Sequence, residues 1–524
     1  MRVGIDVGGT FTDLFAYDEA SGETHSAKVL TTLDNQARGV SQSVRAAGID
    51  LAGVAFLAHG TTTGTNALIE RKGSRCGLLT TEGFRDVLEI MRTDREFGYD
   101  LSWEKPRALV PRRLRFEVPE RVLIDGSIET PLDEDAARAT IAALLATGVE
   151  AIAVALLHSY ANPVHEQRLR ELIAEADPEV AVSISSDVNA EYREYERTNT
   201  TVVDAYVKPV MVRYIERLVS ELQNGGLKPR PFIMQGSGGM VTAERATERP
   251  IGTLSSGPAA GAIAAAKIAQ SAGFADIVTF DVGGTSTDVA LISGGRPDLS
   301  LLKQVVWGLP ARVPMLDVES VAFLSRARDA DLDVLNERLG ALQDATITTL
   351  QRQGVAERDI VVSHVADIRY HGQIHELQVP FEAFPVTPEV LERAIASFED
   401  TYEDVYTIRL QGGVPEMVSL RVIASGALPQ YEPAGFTDGA HGAAPTGSRD
   451  VLEGDRWGAV DVYRRYDLGS GTSLRGPVIL EEEGSTIWVA SDMSADIDAR
   501  GNLLITTNAE RGTAETRPLA EEVA

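Results

Sequence analysis

Two stretches of this 524-residue chain spell nearly the same phrase: GIDVGGTFTD at residues 4–13 and FDVGGTSTDV at 280–289. Aligned on Asp6 and Asp281, which lie 275 residues apart, seven of eight positions agree, and only Phe11 and Ser286 differ. In each copy an apolar strand ends in an aspartate, and Gly-Gly follows where a tight hairpin needs positive φ. Lacking side chains, Gly8–Gly9 and Gly283–Gly284 let backbone N–H groups close on a phosphate. Thr10, Thr12, Thr285 and Thr287 add hydroxyl donors, and Asp13 and Asp288 close the phrases. Asp6 and Asp281, at strand ends, suit a hydrated Mg²⁺ rather than direct contact with an anionic phosphate. One such copy is equally a plain glycine turn. Two copies fit a clamp for a nucleotide, with one phosphate loop from each of two lobes. The sequence has no GxxxxGK[ST], so the P-loop route to ATP is absent.

Three further blocks carry polar groups at useful spacing. HGTTTGTNALIERKG (59–73) offers His59, Thr61, Thr62, Thr63 and Asn66 after an apolar strand. They suit a polar substrate or a phosphoryl oxygen, though one threonine is enough to cap a helix running through NALIERKG. REYERTNTT (193–201) sets Arg193, Glu194, Glu196 and Arg197 beside threonines. An internal ion-pair network and a substrate contact explain it equally well. SSGPAAG (255–261), with Gly257, places small residues ahead of a helix. That reads as an anion-binding helix start or as tight helix packing. His371 and His375 in YHGQIHEL sit in strand-like sequence, where a β-domain surface explains them better than a metal pair.

The elements that must position these groups follow from pattern. Up to about residue 180, apolar runs such as RVGIDV, VAFLAHG, RCGLLTT and VEAIAVALLHSY alternate with amphipathic helices, the rhythm of an α/β layer fold. Residues 95–125, rich in Pro and Arg, break the rhythm as a surface excursion. A long helix from residue 199 leads into a second α/β unit. After residue 320 come a long charged helix and then β-rich segments, predicting a separate α+β domain. The expected division is 1–190, 191–320 and 321–510, with a disordered tail at 511–524.

With 49 basic against 77 acidic residues, the formal charge is −28. That argues against nucleic-acid and anionic-membrane surfaces as partners, since both need phosphates neutralised. No apolar run approaches the length of a membrane span, and the N-terminus enters a strand at once, so a cytoplasmic protein is expected. Cys76 is the only cysteine, which excludes an internal disulfide and a thiolate metal cluster. Its apolar neighbours predict a buried, inert thiol.

The paired hairpins resemble the phosphate loops of the actin, Hsp70 and sugar-kinase superfamily. More narrowly, the chain resembles the A subunit of the hydantoinase/oxoprolinase family, whose relatives include acetone and acetophenone carboxylases. The resemblance rests on the blocks above together with TTEGFRDVLEI, LVPRRLRFEVPERV and FDVGGTSTDVALI, in that order along nearly the whole chain. It implies a two-lobed, actin-like nucleotide-binding core plus a C-terminal α+β domain, with ATP and Mg²⁺ as cofactors. Asp6 and Asp281 would organise the metal, and His59, Thr61–Thr63, Asn66 and Arg197 would face the acceptor. The implied reaction is ATP-dependent ring opening of a cyclic amide or ureide, with a B-type partner subunit completing hydrolysis. A ketone carboxylase subunit and a non-catalytic nucleotide-binding scaffold are the alternatives. The match breaks after VPMLDVES (313–320), where a long continuation of the second lobe is expected and VAFLSRARDADLDVLNERL follows instead. Either a large piece has been lost or an intervening segment separates Ser320 from Val321; the latter reading is preferred, because half a lobe would expose apolar surface.

Overall fold

The computed structural model describes residues 1–508 apart from 33–34, 94–98, 101, 283–286, 298–301, 307–308, 313–316, 374, 427–443 and 483–484. Gly283, Gly284 and Thr285, and the tail expected at 511–524, lie outside the described residues.

In chain order the site-building elements of the N-terminal part are β1 (Arg2–Val7), β2 (Phe11–Tyr17), β3 (Thr24–Leu30), α1 (Gln36–Ala46), β4 (Phe56–Thr61), α2 (Thr63–Ile69), β5 (Cys76–Thr81), β6 (Arg115–Val118), β7 (Ala151–Ala155) and β8 (Ala181–Ile184). Then follow α3 (Glu194–Asn224), β9 (Phe232–Met234), β10 (Met240–Thr242), α4 (Ser256–Ser271), β11 (Ile277–Val282), β12 (Thr287–Ser293) and β13 (Arg296–Pro297). They build a six-stranded sheet in the order β10-β9-β4-β1-β2-β3, a four-stranded sheet β8-β7-β5-β6, and a three-stranded sheet β11-β12-β13.

The local reasons are visible in the residues. Along β1 the apolar Val3, Ile5 and Val7 turn inward while Gly4 and Asp6 turn outward, the period-two pattern of a strand with one buried face. β1 pairs antiparallel with β2 and parallel with β4, a geometry that sets Ile5 beside His59, Asp6 beside Gly60 and Val7 beside Thr61. β5 and β7 are buried on both faces, as central parallel strands require. The helix Glu134–Leu145 begins at Asp133, whose carboxylate accepts from Ala136 N at 3.0 Å, and is followed by Gly148 at φ 76°.

One hydrophobic core draws on residues from Val3 to Leu254, including both larger sheets and most of α3. Cys76 is buried in it, and burial pushes its thiol up to about 12. A second core, from Phe323 to Val422, lies in a mixed unit. Its four-stranded antiparallel sheet has the order β14 (Asp317–Arg326), β17 (Pro415–Gly426), β15 (Ile360–Tyr370), β16 (Leu377–Phe381), covered by α5 (Leu332–Arg352) and α6 (Pro388–Tyr406). A third, smaller core from Leu468 to Ile497 serves two short sheets near the C-terminus.

The register of β14 bears on the expected gap. Ser320 faces Arg421 and Val321 faces Leu420, consecutive residues on consecutive partners. Ser320 and Val321 are therefore consecutive positions within one paired strand. After the three-stranded sheet, a short hairpin of Leu302–Val306 and Leu309–Arg312 lies against α3 before the C-terminal unit begins.

Candidate functional site

The repeated phrase folds the same way twice. In the first hairpin Asp6 pairs with Asp13 and Val7 with Thr12; in the second, Asp281 pairs with Asp288 and Val282 with Thr287. The first turn is closed by Gly8 N donating to Phe11 O at 2.9 Å. Thr31 holds it from the side, donating its hydroxyl to Gly8 O at 3.0 Å while lying 3.1 Å from the fully buried Thr12 hydroxyl.

Asp6 is seated by absent side chains. A Cβ on Gly60 would stand 2.7 Å from Asp6 Oδ1, and one on Gly257 would stand 3.6 Å away. Glycine on β4 therefore makes the room Asp6 occupies, and Gly257 brings the first turn of α4 against the same carboxylate. Although Asp6 opens to solvent at its strand surface, its carboxyl lies above the ordinary value. The crowding protein around it is the main cause, followed by the charges of Asp13 and Asp281, with Lys28 acting in the opposite sense. Lys28 Nζ donates to Asp13 Oδ1 at 2.7 Å. Asp288 is likewise raised, by burial and then by Asp281.

The long-range coupling of Asp281 to Asp6 is the work of α4. Its start is pinned to the first sheet: Ser255 N donates to Thr65 Oγ1 at 3.0 Å, and Ser256 Oγ donates to Thr61 O at 3.2 Å. Ser255 adopts φ 57°, the left-handed turn that aims the helix. Further along, the same helix packs on β11, β12 and β13, and Gln270 near its end donates to Gly295 O at 3.0 Å. Between α4 and the second hairpin lies a cavity of about 370 Å³, lined by Pro258, Gly261, Ala265, Phe280, Asp281 and Asp288 among others. Crowded carboxylates left partly unneutralised beside a glycine cradle fit a hydrated cation, with Asp6 and Asp281 as the groups that would hold it.

The groups expected to face a substrate are placed differently. His59 is fully buried, with Nε2 2.7 Å from the Tyr214 hydroxyl of α3, and burial pushes its pKa down to about 4. Thr61 is buried, its hydroxyl 2.8 Å from that of Thr63, which in turn donates to Gln36. Thr62 donates to Val7 O at 3.2 Å and accepts from Asn66 Nδ2 at 3.1 Å. The hydroxyls thus tie β4, α2, α1 and the first hairpin together; Thr62 makes no cap, while Thr61 Oγ1 accepts from Thr63 N at the start of α2 at 3.2 Å. Arg197 lies inside the protein, donating to Ser159 Oγ and Ser185 Oγ at 2.5 Å each, 3.9 Å from Glu166. Burial lowers its pKa. The polar ends of His59, Thr61 and Arg197, expected to face the acceptor, are turned to neighbouring elements of the protein.

The neighbours of Arg197 likewise form an ion-pair network. Arg92 grips Glu196 through Nε at 2.8 Å and Nη2 at 2.5 Å, and Arg193 reaches Glu376 at 2.5 Å. Arg421 of β17 is buried between Asp367 and Glu191, 2.6 Å from each, and so fastens the C-terminal unit to the segment preceding α3. His371 bonds Glu416 at 2.8 Å. Among the described residues, no group of three or more metal-ligating side chains is gathered. Lys28, Gly60, Ser256 and Tyr214 were missed from sequence. Ser256 and Gly60 sit inside or beside quoted blocks, whereas nothing in the local pattern marks Lys28 or Tyr214.

Three family models match in succession: the hydantoinase/oxoprolinase N-terminal region over residues 2–177, hydantoinase/oxoprolinase over 197–333, and the hydantoinase/oxoprolinase C-terminal domain over 325–505. The caprolactamase subunit alpha of Pseudomonas jessenii is 37% identical over 330 residues, 61% of this chain and 47% of that protein. The acetophenone carboxylase gamma subunit of Aromatoleum aromaticum is 37% identical over 312 residues, 55% of this chain and 42% of that one. The chain thus spans about half the length of the curated relatives it matches. The crystal structure of the ATP-dependent caprolactamase from Pseudomonas jessenii superposes with a TM-score of 0.81 at 24% identity, covering 97% of this chain and all of that one, a likeness of fold. With its three models following one another from residue 2 to residue 505, the chain belongs to the hydantoinase/oxoprolinase family.

Proposed function

We propose that this chain is the ATP-using subunit of a ring-opening amidohydrolase, acting on a cyclic amide or ureide of the hydantoin or 5-oxoproline type. The observation that carries the reading is the identical register of the two hairpins, with Asp281 close enough to Asp6 to raise its carboxyl. In this reading the two sheets are the lobes of an actin-like nucleotide clamp. When bound, ATP would supply the phosphoryl group that turns the amide oxygen into a better leaving arrangement. Asp6 and Asp281 would hold a hydrated Mg²⁺ between the hairpins. The backbone N–H of Gly9, beside the Gly8 turn, and the first turn of α4 at Gly257 would meet phosphate oxygens. Thr10 and Asp13 of the first copy, and Thr287 and Asp288 of the second, would line the same cleft. Catalysis by such a site is mostly positioning and electrostatics.

His59 and Thr61–Thr63 serve this reading as the packed floor that fixes the first hairpin, while Arg197 is held among Ser159, Ser185 and Glu166. A B-type partner subunit would complete hydrolysis, a reading supported by relatives that are named as subunits.

The test is ATP turnover by the chain co-expressed with its partner, with hydantoin, 5-oxoproline, a lactam, or a ketone plus bicarbonate. Stimulation by a cyclic amide is expected. Stimulation by the ketone alone would move the chain to the carboxylases, and no turnover with any of them would leave a nucleotide-binding scaffold.

A further inference from the structure

A single rung crosses the first sheet and carries the charges of its outward face. The registers set Gly60 of β4 beside Asp6 of β1, Asp6 beside Asp13 of β2, and Asp13 beside Lys28 of β3. Asp6, Asp13 and Lys28 all turn to the same, outward side of their strands. Lys28 Nζ bonds Asp13 at 2.7 Å, yet the two side chains stay 43% and 50% exposed. The same ammonium stands 4.8 Å from the centre of the Phe11 ring. Phe11 is the residue whose carbonyl accepts from Gly8 N and closes the glycine turn. Lys28 is thus held between the Asp13 carboxylate and the turn itself.

We propose that Lys28 is a phosphate-binding residue of this site, its ammonium leaving Asp13 for an oxygen of the bound nucleotide's polyphosphate. The inference rests on the reading of the hairpins as a nucleotide clamp, and adds to it a positive charge supplied by the protein.

Charge balance is the first reason. Asp6, Asp13 and Asp281 make the cleft negative, and Mg-ATP is itself an anion, so a metal held by aspartates leaves repulsion uncancelled. Lys28 is the positive charge that acts on Asp6 among the described residues. Arg197, the cation expected from sequence to face the acceptor, is buried and turned to Ser159 and Ser185. The second reason is the nature of the pair. An exposed lysine–aspartate bond is weak in water. Lysine is a point charge on a flexible stem, which carries its donors to a new acceptor by rotation alone. Asp13 therefore parks the ammonium beside the turn without trapping it. A phosphate oxygen, more strongly charged and bonded by a charged donor, is the better acceptor once it arrives.

Calorimetric titration of the full-length chain with Mg-ATP tests this, alongside Mg-tripolyphosphate, which probes the clamp without base or sugar. The wild type should bind both. Lys28→Met should weaken both by about 30-fold, and Lys28→Arg should recover most of the loss. Arg2→Met removes a cation paired with Glu19 at the opposite end of β1 and should change neither. Asp13→Asn separates direct contact from mere neutralisation. With direct contact, the Asp13→Asn chain binds at least as tightly as the wild type, and the double variant Lys28→Met with Asp13→Asn stays weak. A double variant restored to wild-type affinity would mean that Lys28 only cancels the Asp13 charge, and would overturn the proposal. Equal affinities of Lys28→Met and wild type would overturn it too, while leaving the clamp standing. A wild-type chain that binds neither probe would overturn both.

Discussion

Asp281 stands near enough to Asp6, across 275 residues of sequence, for its charge to hold the Asp6 carboxyl above its ordinary value. Two like charges so placed are uncomfortable unless something positive joins them. Crowding of this kind marks functional sites more often than structural ones.

It follows that Asp281→Asn should bring the Asp6 pKa down, a shift readable by carboxyl-carbon NMR, while cutting ATP turnover by about 100-fold or more. The stability sign runs against function. A carboxyl whose folded pKa is raised binds its proton more tightly in the folded state, so stability declines as pH rises through its titration. Asp6→Asn should therefore melt at a higher temperature than the wild type at pH 7, with the difference shrinking as pH falls. Equal melting temperatures at pH 7 would refute the account.

Gly60 and Gly257 separate room from contact. Gly60→Ala puts a methyl 2.7 Å from Asp6 Oδ1, closer than real Cβ atoms come, whereas Gly257→Ala meets it at an ordinary 3.6 Å. Calorimetric titration with Mg-ATP should show a large affinity loss for the first and little change for the second. Loss of equal size in both would mean that Asp6 is not the group being displaced.

His59 supplies an acid limb to stability. Its pKa falls from 6.5 to about 4 on burial, so between those values the unfolded chain takes up the proton that the folded chain refuses. Stability is full above pH 6.5 and is lost as pH falls toward 4, by roughly 3 kcal/mol at most. Denaturant titrations from pH 7 to pH 4 should show a flatter acid limb for His59→Asn. Tyr214→Phe, which strips the partner of His59 Nε2, should cost about 1–3 kcal/mol at neutral pH.

Buried and surface ion pairs should part company. Arg421→Ala leaves Asp367 and Glu191 buried without their cation and should cost about 3–5 kcal/mol. Arg328→Ala removes an exposed partner of Glu392 and should cost less than about 1 kcal/mol. Chemical denaturation followed by circular dichroism distinguishes the two.

Much of the hairpin geometry was legible, because the strand–Gly-Gly–strand phrase determines both turn and register locally. The helix from Glu134 was legible for a similar reason: an aspartate cap and a glycine stop lie within the segment they delimit. The positions of His59, Thr61 and Arg197 were not. A threonine cluster at a strand–helix joint has the same spelling whether its hydroxyls meet a ligand or the next strand. Arg197 belongs to a helix buried continuously from Tyr195 to Val207, so no polar stripe reveals which way its guanidinium turns. Tyr214 and Lys28 matter only through pairings made in three dimensions.

The helix α4 is also a ruler. Its first turn is fastened to β4 and α2 through Ser255 and Ser256, and its last turns carry the second hairpin through Gln270. The position of Asp281 relative to Asp6 is therefore set by the length and phase of sixteen helical residues. One extra residue in that helix would advance the second hairpin by about 1.5 Å and swing it by about 100° around the helix axis. Both phrases would remain letter-perfect, and their aspartates would no longer meet.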